Sequence, residues 1–257
     1  MDLLQAMLLG LVQGLTEFLP VSSSGHLVLV QALLDVGEEG VLFEVVLHVA
    51  TLGSVLLFYR KRVVELVLGV LRGQSAAWHY AAKLGVATLP AVALVLVAGD
   101  FLEAQFESAR VAASGLLATG AILWTTRRTL PHAAAPMPTY TAALLIGCAQ
   151  ALAILPGISR SGATVAAALA LGVAPAAAAE FSFLLSVVAI SGAAVRMLPD
   201  LGSVEAAASA SLLAGGAIAL ASGVAAIWAF VRLLRTGAFY AFAWYVWPVG
   251  LFALLLL

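Results

Sequence analysis

The stretch Gln13-Gly-Leu-Thr-Glu-Phe-Leu-Pro-Val-Ser-Ser-Ser-Gly-His26 has a second copy 137 residues downstream, Gln150-Ala-Leu-Ala-Ile-Leu-Pro-Gly-Ile-Ser-Arg-Ser-Gly162. The constant offset superposes Gly10 on Gly147, Gln13 on Gln150, Ser22 on Ser159, Ser24 on Ser161 and Gly25 on Gly162. A chain with this duplication is built of two related halves. The copies differ where chemistry would lie, since Arg160 stands opposite Ser23 and Ile154 opposite Glu17. One copy brings an acid, a serine and a histidine, and the other brings a cation.

Both copies interrupt a sequence fit for lipid. With 63% hydrophobic residues, 10% charged and a mean hydropathy of +1.11, a chain of 257 residues cannot cover a water-facing surface with polar groups. It reads as an integral membrane protein. Several windows reach the roughly 20 apolar residues that cross about 30 Å of hydrocarbon as helix, and none alternates like a lipid-facing barrel. The expected fold class is therefore an all-α polytopic membrane protein. The single cysteine, Cys148, excludes an intrachain disulfide and a cysteine-based metal cluster. The net charge of -1 identifies no partner, and no nucleic-acid partner is expected.

In chain order, residues 3 to 19 form an apolar helix stopped at Pro20. The first basic residue is Arg60, so this segment lacks the basic flank of a signal peptide. Residues 27 to 34 are too short to cross alone, which makes the pair a re-entrant hairpin with a polar tip. Non-helical backbone at membrane depth is tolerated where protein or a water cavity shields it, so a tip of this kind implies a site. After the acids Asp35, Glu38 and Glu39, spans are expected at about 43 to 59, 80 to 98 and 110 to 126. Arg60-Lys61-Arg62 ends the first, a loop with Asp100, Glu103 and Glu107 follows the second, and Arg127-Arg128 ends the third. A proline-rich linker, residues 131 to 139, divides a first repeat, 1 to 130, from a second, 140 to 257. The second hairpin occupies about 140 to 173, and spans at about 180 to 198, 206 to 231 and 238 to 257 complete six spans and two hairpins.

Alternate loops differ in charge. Those at 60 to 83, 127 to 139 and 232 to 237 hold 9 of the 12 lysines and arginines, whereas the opposite loops hold mainly acids, including Pro199-Asp200 and Glu205. The basic side is then cytoplasmic and both termini external. Because each half has one hairpin and three spans, the halves are inverted relative to each other, and their interface is where a midplane site is expected. The small residues at 206 to 223 suit close helix packing, either internal or in a homodimer.

At the tips, Gln13 and Glu17 are i and i+4 and share one helix face. Ser22, Ser23, Ser24 and Gly25 precede one helix, and Ser159, Ser161, Gly162 and Thr164 begin the other. Each tip offers backbone N–H groups and a positive dipole end to an anion. Arg160 adds a fork of donors matched to phosphate oxygens. Ser23 supplies a nucleophile and His26 a group able to move protons near neutral pH. Phosphoryl transfer uses all of these parts, whereas a carrier with an anion site at the repeat interface would use the tips without the nucleophile. A structural membrane subunit would need none of the intramembrane charges. Glu44 and His48, also i and i+4, read as inter-helix hydrogen-bonding groups, and Glu180 with Ser182 fits a helix start as well as a site.

Gln13-x-x-x-Glu17 with Pro20-Val-Ser-Ser-Ser-Gly-His26, and Pro156-Gly-Ile-Ser-Arg-Ser-Gly-Ala-Thr164, closely resemble the undecaprenyl-pyrophosphate phosphatase family, also called bacitracin-resistance proteins. The resemblance covers the whole chain, including Phe43-Glu-Val-Val46 and Glu180-Phe-Ser-Phe-Leu-Leu185. It implies hydrolysis of a polyprenyl pyrophosphate lipid at the outer face of the bacterial inner membrane. By position, it implies that Gln13 and Glu17 form the acidic motif, Ser23 is the nucleophile, His26 its proton partner and Arg160 the phosphate ligand. Many relatives have Glu where this chain has Gln13, and often Gln where it has His48. Glu17, with Gln13 as a weaker ligand, is then expected to hold a divalent cation, Mg²⁺ or else Ca²⁺. Direct attack by a His26 ring nitrogen, or by water, remains the rival to Ser23.

Overall fold

The computed structural model describes residues 2–34, 41–106, 108–197 and 208–256. The side chains of Glu44 and Arg196, together with Asp35, Glu38, Glu39, Glu107, Pro199, Asp200 and Glu205, lie outside the described residues. All regular structure in the described residues is helical. The elements are α1 (Leu3–Phe18), α2 (Ser23–Leu34), α3 (Val41–Phe58), α4 (Arg60–Leu71), α5 (Ser75–Phe106) and α6 (Ala109–Thr129). After a 3₁₀ turn at Leu130–His132 come α7 (Tyr140–Leu152), α8 (Arg160–Ala170), α9 (Pro175–Met197) and α10 (Ala208–Arg235). A second 3₁₀ turn at Phe239–Phe242 leads into α11 (Ala243–Leu256). Stretches within α5, α9 and α10 are long and apolar enough to cross a membrane, and α1, α3, α7 and α11 contribute shorter apolar segments. The chain is an integral membrane protein. Leu96, Val97, Leu213 and Leu255, each at least 74% exposed, face outward as lipid-bathed side chains do.

Local signals set the helix ends that matter for the tips. Asp2 caps α1 in a reciprocal box with Gln5, each side chain accepting from the other's backbone N–H at 2.7 and 2.9 Å. Leu19, at φ -63° and ψ 145°, takes the extended conformation that a following proline demands, and α1 ends there. Thr139 caps α7 and Ser159 caps α8.

Two elements depart from the sequence reading. Residues 60 to 83, expected as a basic loop, contain the α4 helix and the start of α5. Val63, Val64, Leu66 and Val67 give this segment an apolar face while Arg60, Lys61, Arg62 and Glu65 keep it too polar to cross. Helix α5 also runs past the expected span to Phe106, so Asp100 and Glu103 lie on helix rather than loop. Its break is at Ala98, φ -132° and ψ 26°, and Pro90 is accommodated upstream inside the helix.

Packing repeats across the offset. In the first copy α1 crosses α10 so closely that a Cβ on Gly10 would run into the carbonyl oxygen of Gly215. In the second copy α7 crosses α5, and a Cβ on Gly147 would run into the carbonyl oxygen of Ala87. Equivalent glycines thus serve equivalent backbone crossings. The small residues Gly215, Ala219 and Ser222 of α10 pack internally against Gly10 and Gly14, and Gly223 packs against Ser54 and Phe18. Beneath the tips, Phe18, Phe183, Phe230 and Phe239 form a run of edge-to-face rings with centroids 5.0 to 5.6 Å apart, tying α1, α9, α10 and the second 3₁₀ turn together.

Candidate active site

The two tips meet each other against α6. Gly157, with φ +86°, lies so close to α6 that a Cβ would strike the carbonyl oxygen of Ala112. Thr119 on α6 fastens this tip, donating to the Gly157 carbonyl at 2.8 Å and accepting from the Ser159 N–H at 2.8 Å. Ser161 Oγ then donates to the Leu19 carbonyl of the first tip at 3.2 Å. A Cβ on Gly25 would come 3.2 Å from Gly157 Cα, which shows how near the two backbones pass.

The polar groups converge on one carboxylate. Glu17 is buried at the end of α1, and Arg160 Nη2 donates to its Oε1. Its Oε2 accepts from Ser23 Oγ at 2.6 Å and from Gln13 Nε2 at 3.0 Å. His48 Nε2, on α3, stands 4.0 Å from the same oxygen. Residues 23 and 160, equivalent under the offset, therefore reach the same acid from opposite tips. An arginine–glutamate pair in a desolvated site holds its partners in one geometry, because separating them leaves a buried charge uncompensated.

The flanking serines make caps. Ser22 Oγ accepts from the Gly25 N–H at 3.3 Å and Ser159 Oγ from the Gly162 N–H at 3.1 Å. Each also meets its second neighbour, Ser24 at 3.3 Å and Ser161 at 3.2 Å. Gly25 and Gly162, expected to offer N–H groups to an anion, thus have theirs taken by the caps. In the first turns of α2 and α8, the N–H groups of Ser23, Ser24, Arg160 and Ser161 have no hydrogen-bond partner among the described residues. Those first-turn donors, with the Arg160 fork between them, are the groups with the chemistry to receive an anion. Thr164 donates to the Arg160 carbonyl at 2.7 Å and meets Ser182 Oγ at 2.5 Å, so it braces the helix that carries Arg160.

Two placements differ from the sequence reading. Ser23 and His26, three residues apart, were expected to pair, but the Ser23 hydroxyl goes to Glu17. The His26 ring turns back to the Ser22 carbonyl, 2.8 Å from Nδ1, and its Nε2 lies 2.9 Å from Tyr245 Oη. The physical reason is the backbone of Ser22, the one non-glycine with positive φ (69°) among the described residues, which aims Ser23 toward α1. His48, read as an inter-helix group, belongs to the surroundings of Glu17. Glu180 lies apart from the tips, where Oε1 accepts from Arg62 Nε at 2.8 Å and Tyr80 Oη at 3.2 Å, joining α4, α5 and α9. Tyr245 was missed altogether.

As a cation site the cluster is spare. The described residues contain no group of three or more His, Cys, Asp or Glu side chains arranged to hold a metal ion. Among the described residues, however, Gln13 Oε1 is buried without a hydrogen-bond partner, and Glu17 Oε1 accepts from Arg160. Two oxygens of this kind fit an ion that draws the rest of its shell from water and phosphate.

Known proteins resemble this chain along nearly its whole length. The family model described as bacitracin resistance protein BacA matches residues 6–252. An undecaprenyl-diphosphatase from Desulfatibacillum aliphaticivorans is 39% identical over 97% of this chain and 97% of its own length. The undecaprenyl-diphosphatase of Alcanivorax borkumensis is 40% identical over 91% of each chain. That of Christiangramia forsetii is 41% identical, covering 99% of this chain and 98% of the relative.

Proposed function

The chain belongs to the bacitracin resistance protein BacA family, and from that premise we propose that it is a membrane phosphatase hydrolysing undecaprenyl diphosphate to undecaprenyl phosphate and inorganic phosphate. Such a reaction returns the lipid carrier to cell-wall synthesis. The observation that carries the reading is the convergence of Ser23 and Arg160, from two different tips, on the buried Glu17. A carrier needs the anion-binding tips but has no use for a serine hydroxyl 2.6 Å from a carboxylate.

In the mechanism, the diphosphate lies across the two helix starts. The terminal phosphoryl takes the Arg160 fork and the free N–H groups of residues 23, 24, 160 and 161. Arg160 exchanges its carboxylate partner for phosphate, which frees Glu17 to act on Ser23. Ser23 Oγ attacks the terminal phosphorus while its proton passes to Glu17, the P–O bond to the bridging oxygen breaks, and undecaprenyl phosphate leaves. Water then attacks the phosphoserine and gives up one proton to solvent, the P–Oγ bond breaks as Glu17 returns its proton to Ser23 Oγ, and inorganic phosphate is released. A lipid phosphate is a good leaving group without prior protonation, so His26 is not needed as an acid for it. Glu17 and the Gln13 Oε1 atom are the residues that would hold a divalent cation such as Mg²⁺ or Ca²⁺. When bound, such an ion supplies positive charge to the diphosphate oxygens.

The wider arrangement belongs to the same proposal: six spans and two re-entrant hairpins in inverted repeats, 1 to 130 and 140 to 257, joined by the linker 131 to 139. The swapped partners of Gly10 and Gly147 support it. With the basic loops cytoplasmic, both termini and the site face the outside of the inner membrane. Release of inorganic phosphate from a polyprenyl diphosphate by the purified chain in detergent tests the activity, and its absence would sink the reading. Reporters fused to either terminus should be active outside the cytoplasm, and cytoplasmic activity at both ends would overturn the orientation.

A further inference from the structure

His26 has a partner that the mechanism above does not use. Its Nδ1 faces the Ser22 carbonyl, which can only accept, so Nδ1 carries the proton. In the neutral ring Nε2 is then a lone pair, and Tyr245 Oη at 2.9 Å is the donor to it. The two rings are also nearly parallel, 7° apart with centroids at 5.7 Å. Donor and acceptor roles are thus settled along a chain that runs from Tyr245 through His26 to Ser22.

The end of that chain is where the backbone is strained. Ser22 adopts φ +69°, a conformation unfavourable for a non-glycine residue that persists only when surroundings impose it. Its carbonyl receives both the His26 backbone N–H, at 3.2 Å, and the His26 ring. The next residue is Ser23. Whatever holds the Ser22 peptide therefore sets the direction in which the Ser23 hydroxyl leaves the tip toward Glu17.

Tyr245 is well placed for such a task. Its helix, α11, is seated on α6, where Trp247 Nε1 donates to the Leu117 carbonyl at 3.2 Å and Gly250 fits beside Ala113 and Leu116. Trp244 and Trp247 turn to Trp124 of α6, with centroids at 5.6 and 5.7 Å, while Tyr245 turns to His26. Helix α6 also fastens the other tip through Thr119. One helix thus registers both tips, the second directly and the first by way of α11.

We propose that Tyr245 is a positioning residue of the phosphatase site: its hydroxyl fixes His26 as the Nδ1–H tautomer, and through the Ser22 carbonyl holds Ser23 aimed at Glu17. The inference rests on the phosphatase reading and adds to it a residue from the far end of the chain. It gives His26 a part in orienting the nucleophile rather than in taking its proton.

The test is Tyr245→Phe, which keeps the ring against His26 and removes only the oxygen. Turnover of a polyprenyl diphosphate should fall about tenfold, the worth of roughly one hydrogen bond, with KM within about twofold. The ¹⁵N spectrum of histidine-labelled protein should show His26 protonated at Nδ1 alone in the parent chain, and a mixture of tautomers in the variant. Adding Tyr245→Phe to His26→Ala should cost less than about twofold further. Normal turnover in Tyr245→Phe would overturn the proposal, as would lost turnover with an unchanged His26 spectrum or a full further loss on the His26→Ala background. If His26→Ala is too slow to measure, the spectrum decides. A parent chain that releases no phosphate would instead overturn the phosphatase reading.

Discussion

The two tips share a framework and differ at its centre. In each, a serine caps the helix from the position three before a glycine, a second serine meets the first, and the remaining position projects between them. Ser22, Ser24 and Gly25 are matched by Ser159, Ser161 and Gly162, with cap bonds of 3.3 and 3.1 Å. The central residues are Ser23 and Arg160, and both reach Glu17. The backbones differ too. Ser159 is extended at φ -70° because Gly157 takes the left-handed turn, whereas in the first tip the serine itself takes it. The duplicated tips thus keep one helix-start framework and differ at its centre, Ser23 against Arg160, and six residues earlier, where Glu17 stands against Ile154. The strained turn, at Ser22, lies directly before Ser23.

The sharpest way to break this comparison is to exchange centre for frame. Ser23→Ala and Glu17→Gln should each lower phosphate release by roughly a thousandfold or more, while substrate still binds, because both act mainly in the transition state. Ser22→Ala and Ser159→Ala remove caps, worth about 1 kcal/mol each, Ser24→Ala and Ser161→Ala remove the hydroxyls that meet those caps, and all four should cost tenfold or less. Steady-state kinetics with a polyprenyl diphosphate separates the two classes. Comparable losses at frame and centre would mean that no single residue of the first tip is the nucleophile. Next in size is Arg160→Lys. Charge is kept but the fork is lost, and a drop of about a hundredfold is expected, since a point charge neither bridges two phosphate oxygens nor holds Glu17 as Arg160 does. Turnover within a few-fold of the parent chain would reduce Arg160 to a counter-charge.

Much of this was legible in the sequence because it is local. Asp2, Ser22, Thr139 and Ser159 are cap residues at the right spacing, Pro20 marks the end of α1, and the offset pairs the tips without any structure. Hydropathy placed α9 and α10 to within five residues at each end, whereas α5 extends five and eight residues beyond its expected ends. What remained hidden depends on where distant segments meet. Tyr245 lies 219 residues from His26, in a helix apolar on every side, where a tyrosine reads as a membrane-interface residue. The pairing of Ser23 with Glu17 rather than His26 follows from one positive φ at a serine, a conformation that residue type does not announce. Helix α4 was read as loop because its basic start outweighed an apolar face only twelve residues long. Lone charged pairs such as Arg62 with Glu180 likewise need the fold before they have partners.

The smallest effects test the glutamines that the offset also pairs. Gln13 and Gln150 are both buried, but Gln13 donates to Glu17, whereas four residues after Gln150 the copy has Ile154 in place of the acid. Both amide atoms of Gln150 are buried without a hydrogen-bond partner among the described residues. A buried amide in that state is a cost of about 1–3 kcal/mol, and a leucine of similar volume removes it. Gln150→Leu should therefore leave turnover within about twofold and leave thermal stability in detergent unchanged or slightly raised. Gln13→Leu takes away a donor to the catalytic carboxylate and should lower turnover by roughly tenfold. Gln13→Glu should be tolerated, because a second carboxylate 3.0 Å from Glu17 is stable when a cation or a shared proton lies between them. That variant should then depend more steeply on added Mg²⁺ than the parent chain, as read from phosphate release across a metal titration. Equal sensitivity at positions 13 and 150 would mean that the two halves still share the site evenly. Tolerance at 150 alone would locate all of the acid chemistry in the first tip, leaving the second to hold the phosphate.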